Sequence, residues 1–278
     1  MSRRIVGPFN RVEGDLEVQL EIADRQVGDA WVVSPLYRGF EQILAGKVPM
    51  DALVYTPRIC GICSVSQSVA CAAALAQAME VTPSPSGQTA INLILANENL
   101  ADHLTHFYLF FMPDFAREVY AGEPWHEAVA RRFKAVQGTA IQEVLPARVA
   151  FMHLMGIMAG KWPHSLAIQP GGTTRAVGSQ EKVRLQSILF AFRRFLEAVL
   201  FADDLERVIA IDSENALFAW ADEAPPDRGD LRRFLHVATA LELQHLGRAS
   251  DRFMSYGAYG RPGEHLFARG CGTSAFMI

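Results

Sequence analysis

Cysteine is scarce in this chain. Four occur in 278 residues, at Cys60, Cys63, Cys71 and Cys271, too few to staple a protein of this size with disulfides. Long apolar runs are missing as well. No stretch reaches the ~18 residues that span a bilayer, and Ser68–Ala76 stops at Gln77. Positive charge is not in excess: 26 Lys+Arg stand against 30 Asp+Glu, a net charge of -4, which excludes wrapping a nucleic acid by bulk charge. Charged residues are only 20% of the chain, below the ~25% usual in soluble domains. The deficit suggests a surface partly buried against a partner. The start, Met1-Ser2-Arg3-Arg4, has two arginines, but Gly7, Pro8 and Asn10 interrupt it and no apolar segment follows. It does not read as an export signal, so a cytoplasmic protein is expected, unless a partner carries that signal.

Apolar mass, by contrast, is plentiful. Half of the residues are hydrophobic and the mean hydropathy is +0.10, so a disordered chain is excluded and a large core is expected. At ~150 residues per domain the length suggests one large domain or two smaller ones. Strict alternation over Asp15–Ile22 reads as a half-buried strand, Ala30–Val33 as a second with a turn between Asp24 and Gly28, and Ile5–Phe9 as another. From Cys60 the periodicity is helical. Helices are expected over Cys60–Glu80, Gln88–Met112 (stopped by Pro113), Ala128 to about Met158 with breaks at Gly138 and Pro146, Ser179–Val208 and Leu231–Phe253. Lys161–Thr174 reads as a Gly/Pro-rich loop, and Arg269–Ile278 has no capping pattern. The expected class is α+β, mainly α: a small β-rich layer over residues 1–56, then a long-helix body over 57–278.

The chemistry concentrates at Arg58-Ile59-Cys60-Gly61-Ile62-Cys63. Cysteines at i and i+3 at a helix start share a face, where free N–H groups and the helix dipole favour thiolates. Two such thiolates suit a soft transition metal, nickel or iron as well as zinc. A thiol–disulfide pair and half of a structural zinc site are the other readings, and Cys71 and Cys271 belong to no second Cys-x-x-Cys. Gln67 lies one turn on, where it could hydrogen-bond a metal ligand or a backbone group. Asp102, His106 and Phe110 recur at i, i+4, i+8; His103 and His106 read better as ordinary histidines than as ligands. Glu13 precedes Gly14 and could serve as a proton carrier, although a lone Glu is usually a solvated charge; Glu41, after Arg38-Gly39-Phe40, is equally ambiguous. Pro170-Gly171-Gly172 lacks a phosphate loop's lysine.

Taken in order, Arg11-Val12-Glu13-Gly14, Arg38-Gly39-Phe40-Glu41, Arg58-Ile59-Cys60-Gly61-Ile62-Cys63, Asp102-His103 to His106-Phe107-Tyr108 and Pro170-Gly171-Gly172 resemble the large subunit of nickel–iron hydrogenases. The Arg-Ile-Cys-Gly-x-Cys block is the specific one. The resemblance covers most of this chain but only the first portion of the family's subunit. It implies dihydrogen cleavage at a Ni-Fe(CO)(CN)2 centre, with Cys60 a terminal nickel ligand and Cys63 bridging nickel and iron. It implies that Glu13 passes protons from the nickel thiolate. Glu41 would bind magnesium or a similar ion just outside the centre, and Asp102 would sit above the metals, held by an arginine from later in the subunit. The implied partner is a small subunit that alone carries the iron–sulfur clusters; membrane insertion is not implied.

Departures point to a subtype. The family usually has His at the positions of Gln67 and Asp15, Val at Ile62 and Leu at Phe110; the last two sites meet where its apolar gas path reaches the metals. This set resembles the cytoplasmic hydrogen-sensing, regulatory branch, which feeds a histidine kinase. The family's second Cys-x-x-Cys, after an Asp-Pro, is absent. Three functions remain: a dihydrogen-splitting redox enzyme or its catalytic part, a sensing module that signals to a kinase, and a truncated subunit without a working metal site.

Overall fold

The computed structural model describes residues 2–9, 15–247, 250–261 and 264–272. The chain divides into two units, Met1–Val48 and Pro49–Ile278. The architecture is α+β and mainly helical, as the sequence leads one to expect.

The first unit is an antiparallel meander of β1 (Ser2–Phe9), β2 (Leu16–Ala23) and β3 (Gln26–Val33), followed by the short helix α1 (Phe40–Leu44). Arg4 pairs with Leu20, and Leu20 with Ala30. The β2–β3 turn is only two residues long. Asp24 and Arg25 both take positive φ, 51° and 62°, the geometry whose twist matches a tight hairpin. Ile5, Val27, Trp31 and Val32 are exposed, so this sheet has no core of its own.

The second unit holds α2 (Ala52–Tyr55), α3 (Ser64–Ala78), α4 (Pro85–Thr105), α5 (His126–Phe133) and α6 (Ala140–Ala159). The small hairpin β4 (Ile168–Gln169) and β5 (Gly172–Thr173) follows, then α7 (Ser179–Phe195), α8 (Leu205–Ile209), α9 (Glu214–Asp222), α10 (Asp230–Ala240) and the hairpin β6 (Phe253–Arg261) and β7 (Glu264–Gly272). α4 packs on both α3 and α6, and α6 packs on α7. Ile94, Met112, Val129, Phe151, Leu154 and Met155 fill the core between them. α4 starts where Ser84 caps the Gly87 amide at 3.1 Å and Pro85 presets the first turn. Pro170-Gly171-Gly172 has a packing explanation: a Cβ on Gly87 would fall 2.9 Å from the Gly171 carbonyl, so α4 and the β4–β5 turn touch through bare backbone. Among the described residues no helix is long and apolar enough to cross a membrane.

Several element boundaries differ from the sequence expectation. α3 begins at Ser64, so Cys60 and Cys63 lie before the helix and not on its face. α4 ends at Thr105, and His106–Phe111 widens into a π-turn before Pro113. Pro146 does not break α6. The carbonyl it leaves without a helical donor belongs to Gln142, which is exposed, so water can replace the lost bond. Gly138 does mark a break: a Cβ there would lie 2.5 Å from the Arg132 carbonyl. The helix expected over Ser179–Val208 stops at a π-turn, Leu196–Leu200, and restarts at α8. The helix expected to run to Phe253 ends at Ala240, and Phe253 opens β6.

Candidate metal centre

Pro57 closes a short helical turn, Thr56–Arg58, and the chain then loops through Cys60-Gly61-Ile62-Cys63 into α3. Both cysteines are partly buried free thiols. The Cys63 amide points back at the Cys60 Sγ at 3.4 Å, and the Gln67 Nε2 reaches the Cys63 Sγ at 3.6 Å. Gln67 therefore does face the thiol pair, although Cys63 is a helix-preceding residue. Burial, then the neighbouring Cys60 thiol, push the Cys63 thiol up to about 11. This reverses the expected help from the helix start. The amides that would have favoured a thiolate are already taken.

The group that takes them is Glu98, a residue that sequence reasoning missed. It is 2% exposed. Its Oε1 accepts from the Val65 amide at 2.9 Å, the Ser64 hydroxyl at 3.2 Å and the Trp162 indole at 2.9 Å. Its Oε2 accepts from the Ser66 amide at 2.9 Å and the Ser66 hydroxyl at 3.3 Å. His164 closes the arrangement from another side: its amide donates to Ser64 Oγ at 3.2 Å, and its Nδ1 lies 2.9 Å from the Pro57 carbonyl. The only sequence signal was spacing. Glu98, Ala101, Asp102 and Thr105 fall at i, i+3, i+4, i+7, one helical stripe.

That stripe lines a cavity of about 160 Å³, whose other walls include Ile62, Phe110, Arg148, Met152 and Trp162. Ile62, Asp102 and Phe110 thus border one space. The Arg148 Nε donates to Thr105 Oγ1 at 2.8 Å, and its guanidinium lies 5.6 Å from the centroid of the Trp162 ring. His106 is not among the residues that line this space, although its amide still donates to the Asp102 carbonyl. From His106 onward the π-turn changes the helical period, and His106 stacks on Phe111, five residues on, with centroids 5.8 Å apart. His103 and His106 are both exposed. Glu41 stands in the first turn of α1, in the first unit, behind Gly39 at φ 65°. Glu13 lies outside the described residues, as does the end of the chain after Gly272.

The donor set fits one half of a thiolate-rich metal centre. Two soft sulfurs sit three residues apart with an amide donor to each region of the turn, while among the described residues no group of three or more His, Cys, Asp or Glu could hold a metal. Comparison with known proteins adds a similarity over part of the chain. Residues 38–135, which include the thiol turn and the Asp102 stripe, match the model of the family described as nickel-dependent hydrogenase. Over that stretch the chain is similar to nickel-dependent hydrogenases. It is 28% identical to the hydrogenase-2 large chain of Escherichia coli K12 over 227 residues, which is 76% of this chain and 36% of that one. It is 36% identical to the periplasmic [NiFeSe] hydrogenase large subunit of Desulfomicrobium baculatum over 112 residues, 40% of this chain and 22% of that one. The fold is shared with the Ni-Fe-Se hydrogenase of D. vulgaris Hildenborough, with a TM-score of 0.70 at 22% identity, over 98% of this chain and 53% of that one. The matched stretches therefore span about a fifth to a half of the length of these relatives.

Proposed function

We propose that this chain is the part of a [NiFe]-hydrogenase large subunit that supplies the first thiolate pair for heterolytic cleavage of dihydrogen, in an enzyme of the hydrogen-sensing, regulatory type. The observation that carries the reading is the thiol turn beside a cavity bordered by Ile62, Asp102 and Phe110, within the segment that matches nickel-dependent hydrogenases. When bound, the Ni-Fe(CO)(CN)2 group supplies the electron-accepting capacity and Lewis acidity that polarise dihydrogen.

The chain's own residues have separate tasks in this scheme. Cys60 and Cys63 hold the metals, and the Gln67 amide steadies the Cys63 sulfur. Glu13 accepts the proton from a protonated cysteine sulfur, which is left as thiolate, and passes it outward. Asp102 supplies a negative charge at the cavity wall, and Glu41 holds a magnesium or similar ion. Ile62 and Phe110 restrict which gases pass. A small subunit carries the iron–sulfur clusters that receive the electrons, and the complex signals to a histidine kinase in the cytoplasm. The match to hydrogenases supports the reaction; Ile62, Phe110 and Gln67 together support the regulatory type.

A second reading is a subunit that is inert alone, since the described residues provide two thiolates and a bimetallic centre of this kind needs four. The test is a completed subunit, assembled with its small subunit, in which Glu13 is replaced by Gln. An amide keeps shape and hydrogen bonding but cannot titrate. Metal content should stay at the parent level while dihydrogen–deuterium exchange stops. Exchange at the parent rate in Glu13→Gln would remove Glu13 from the proton path.

A further inference from the structure

We infer that Glu98 is a positioning residue for the thiol pair: it caps α3 from another helix and so frees the Cys63 sulfur to stand beside Cys60. Cys63 occupies the N-cap position of α3, with φ -111° and ψ 31°, and makes no side-chain cap. In an ordinary helix the N-cap side chain turns back and accepts from the amides two and three residues on. Those two amides belong here to Val65 and Ser66. Both are taken by the two oxygens of Glu98, at 2.9 Å each. The cap therefore comes from α4, 32 and 33 residues away in sequence, and the side chain at the cap position is left for other work.

The same carboxylate fixes the turn from both sides. Ser64 donates to Glu98 and accepts the His164 amide. His164 in turn holds the Pro57 carbonyl, three residues before Cys60. Trp162, whose indole also ends on Glu98, is a wall of the cavity that Ile62 lines. The turn from Pro57 to Ser66 is thus tied at its start, at its end and against the cavity. At 2% exposure Glu98 is shielded from bulk water, so its loss leaves several donors short of a built-in acceptor.

The inference rests on reading Cys60 and Cys63 as metal-binding thiols, and the test separates the two ideas. In a Cys71→Ala, Cys271→Ser background, binding of phenylarsine oxide is compared with alkylation by iodoacetamide. The arsenical forms two As–S bonds to neighbouring thiols and releases one water, so it reads the geometry of the pair; alkylation reads single thiols. Cobalt(II) titration, followed by the thiolate-to-metal charge-transfer band, reads metal binding. Glu98→Gln keeps size but puts an NH2 group against one backbone amide; Glu98→Leu removes both acceptors. Arsenical affinity should fall by about ten-fold or more in Glu98→Gln, as for other residues that orient metal ligands, and further in Glu98→Leu, with alkylation rates little changed. A merely structural Glu98 would lower the melting temperature and leave arsenical capture by the folded fraction intact, which would overturn the inference. If Glu98→Leu does not fold, Glu98→Gln decides alone. If arsenical capture depends on Glu98 but the parent gives no cobalt–thiolate band, the positioning role stands and the metal reading falls.

Discussion

Tyr108 is 1% exposed and donates to Asp230 at 2.9 Å. Burial, and then the Asp230 charge, hold its phenol well above the ordinary 10.0. In the unfolded chain the phenol ionises near pH 10, whereas in the folded protein it stays neutral. What Tyr108 contributes to stability is therefore fully present below about pH 10 and falls as pH rises past it. Tyr108→Phe should cost roughly 1.5–3 kcal/mol at pH 7, the range for a hydrogen bond to a charged group. It should also flatten part of the decline between pH 9.5 and 11 (roughly the span around a phenol's pKa), read from urea unfolding at each pH. A parent and variant with the same slope would show that Tyr108 ionises in the folded state. At the cavity mouth Ile62 and Phe110 are 45% and 42% exposed, and each is larger than the Val or Leu that the hydrogenase resemblance implies at its position. In a completed subunit, Ile62→Val with Phe110→Leu should turn oxygen-tolerant dihydrogen oxidation oxygen-sensitive. Equal inhibition under controlled oxygen pressure, at equal metal loading, would leave both as packing residues.

At the scale of elements, the unit is organised by α4 and α6. α6 meets α7 through Phe151 and Phe192, two buried rings stacked with centroids 3.8 Å apart and planes 11° apart. The same Phe151 carbonyl accepts from the buried Asn97 of α4 at 3.0 Å. Phe151→Ala should open a cavity where α4, α6 and α7 meet and cost about 3–5 kcal/mol, visible as a lower urea midpoint at unchanged slope. A loss under ~1 kcal/mol, no more than a volume-conserving swap, would mean that the three helices do not share this core. A second tie runs from α5 to α10: Arg132 grips Asp230 through Nε at 3.0 Å and Nη2 at 2.7 Å, and also pairs with Glu143 of α6. Buried charge is retained there because every partner is hydrogen-bonded.

At the scale of the molecule, the decisive quantity is the number of sulfur ligands. On the proposed reading Cys60 and Cys63 provide two; Cys71 packs against the core of the second unit, and Cys271 lies on β7 opposite Met254. The purified 278-residue chain is therefore expected to hold no stable nickel–iron centre. Elemental analysis should find both metals far below one per chain, and stoichiometric nickel and iron in the isolated chain would refute this. Co-expression with a polypeptide providing a second thiolate pair should raise both.

Features that rest on neighbours along the chain were legible in the sequence. The three strands followed from alternation and the thiol pair from Cys-x-x-Cys, because strand period and ligand spacing are local. The Asp102 stripe was half legible: its spacing was visible, but the π-turn that begins at His106 and the stacking of His106 on Phe111 were not. Folding decided what depends on partners far apart. Glu98 looks like one more helical carboxylate until α3 and α4 pack and bring it to the Val65 and Ser66 amides. Trp162 and His164 lay in a loop with no motif, and only tertiary contact sets them against Glu98 and Pro57. The raised Cys63 thiol is tertiary too: burial, then the Cys60 thiol, push it up, and burial is set by packing. A helix start favours an anion from whichever group reaches its amides, and the competition between a thiol and a distant carboxylate is settled by packing, not by sequence spacing.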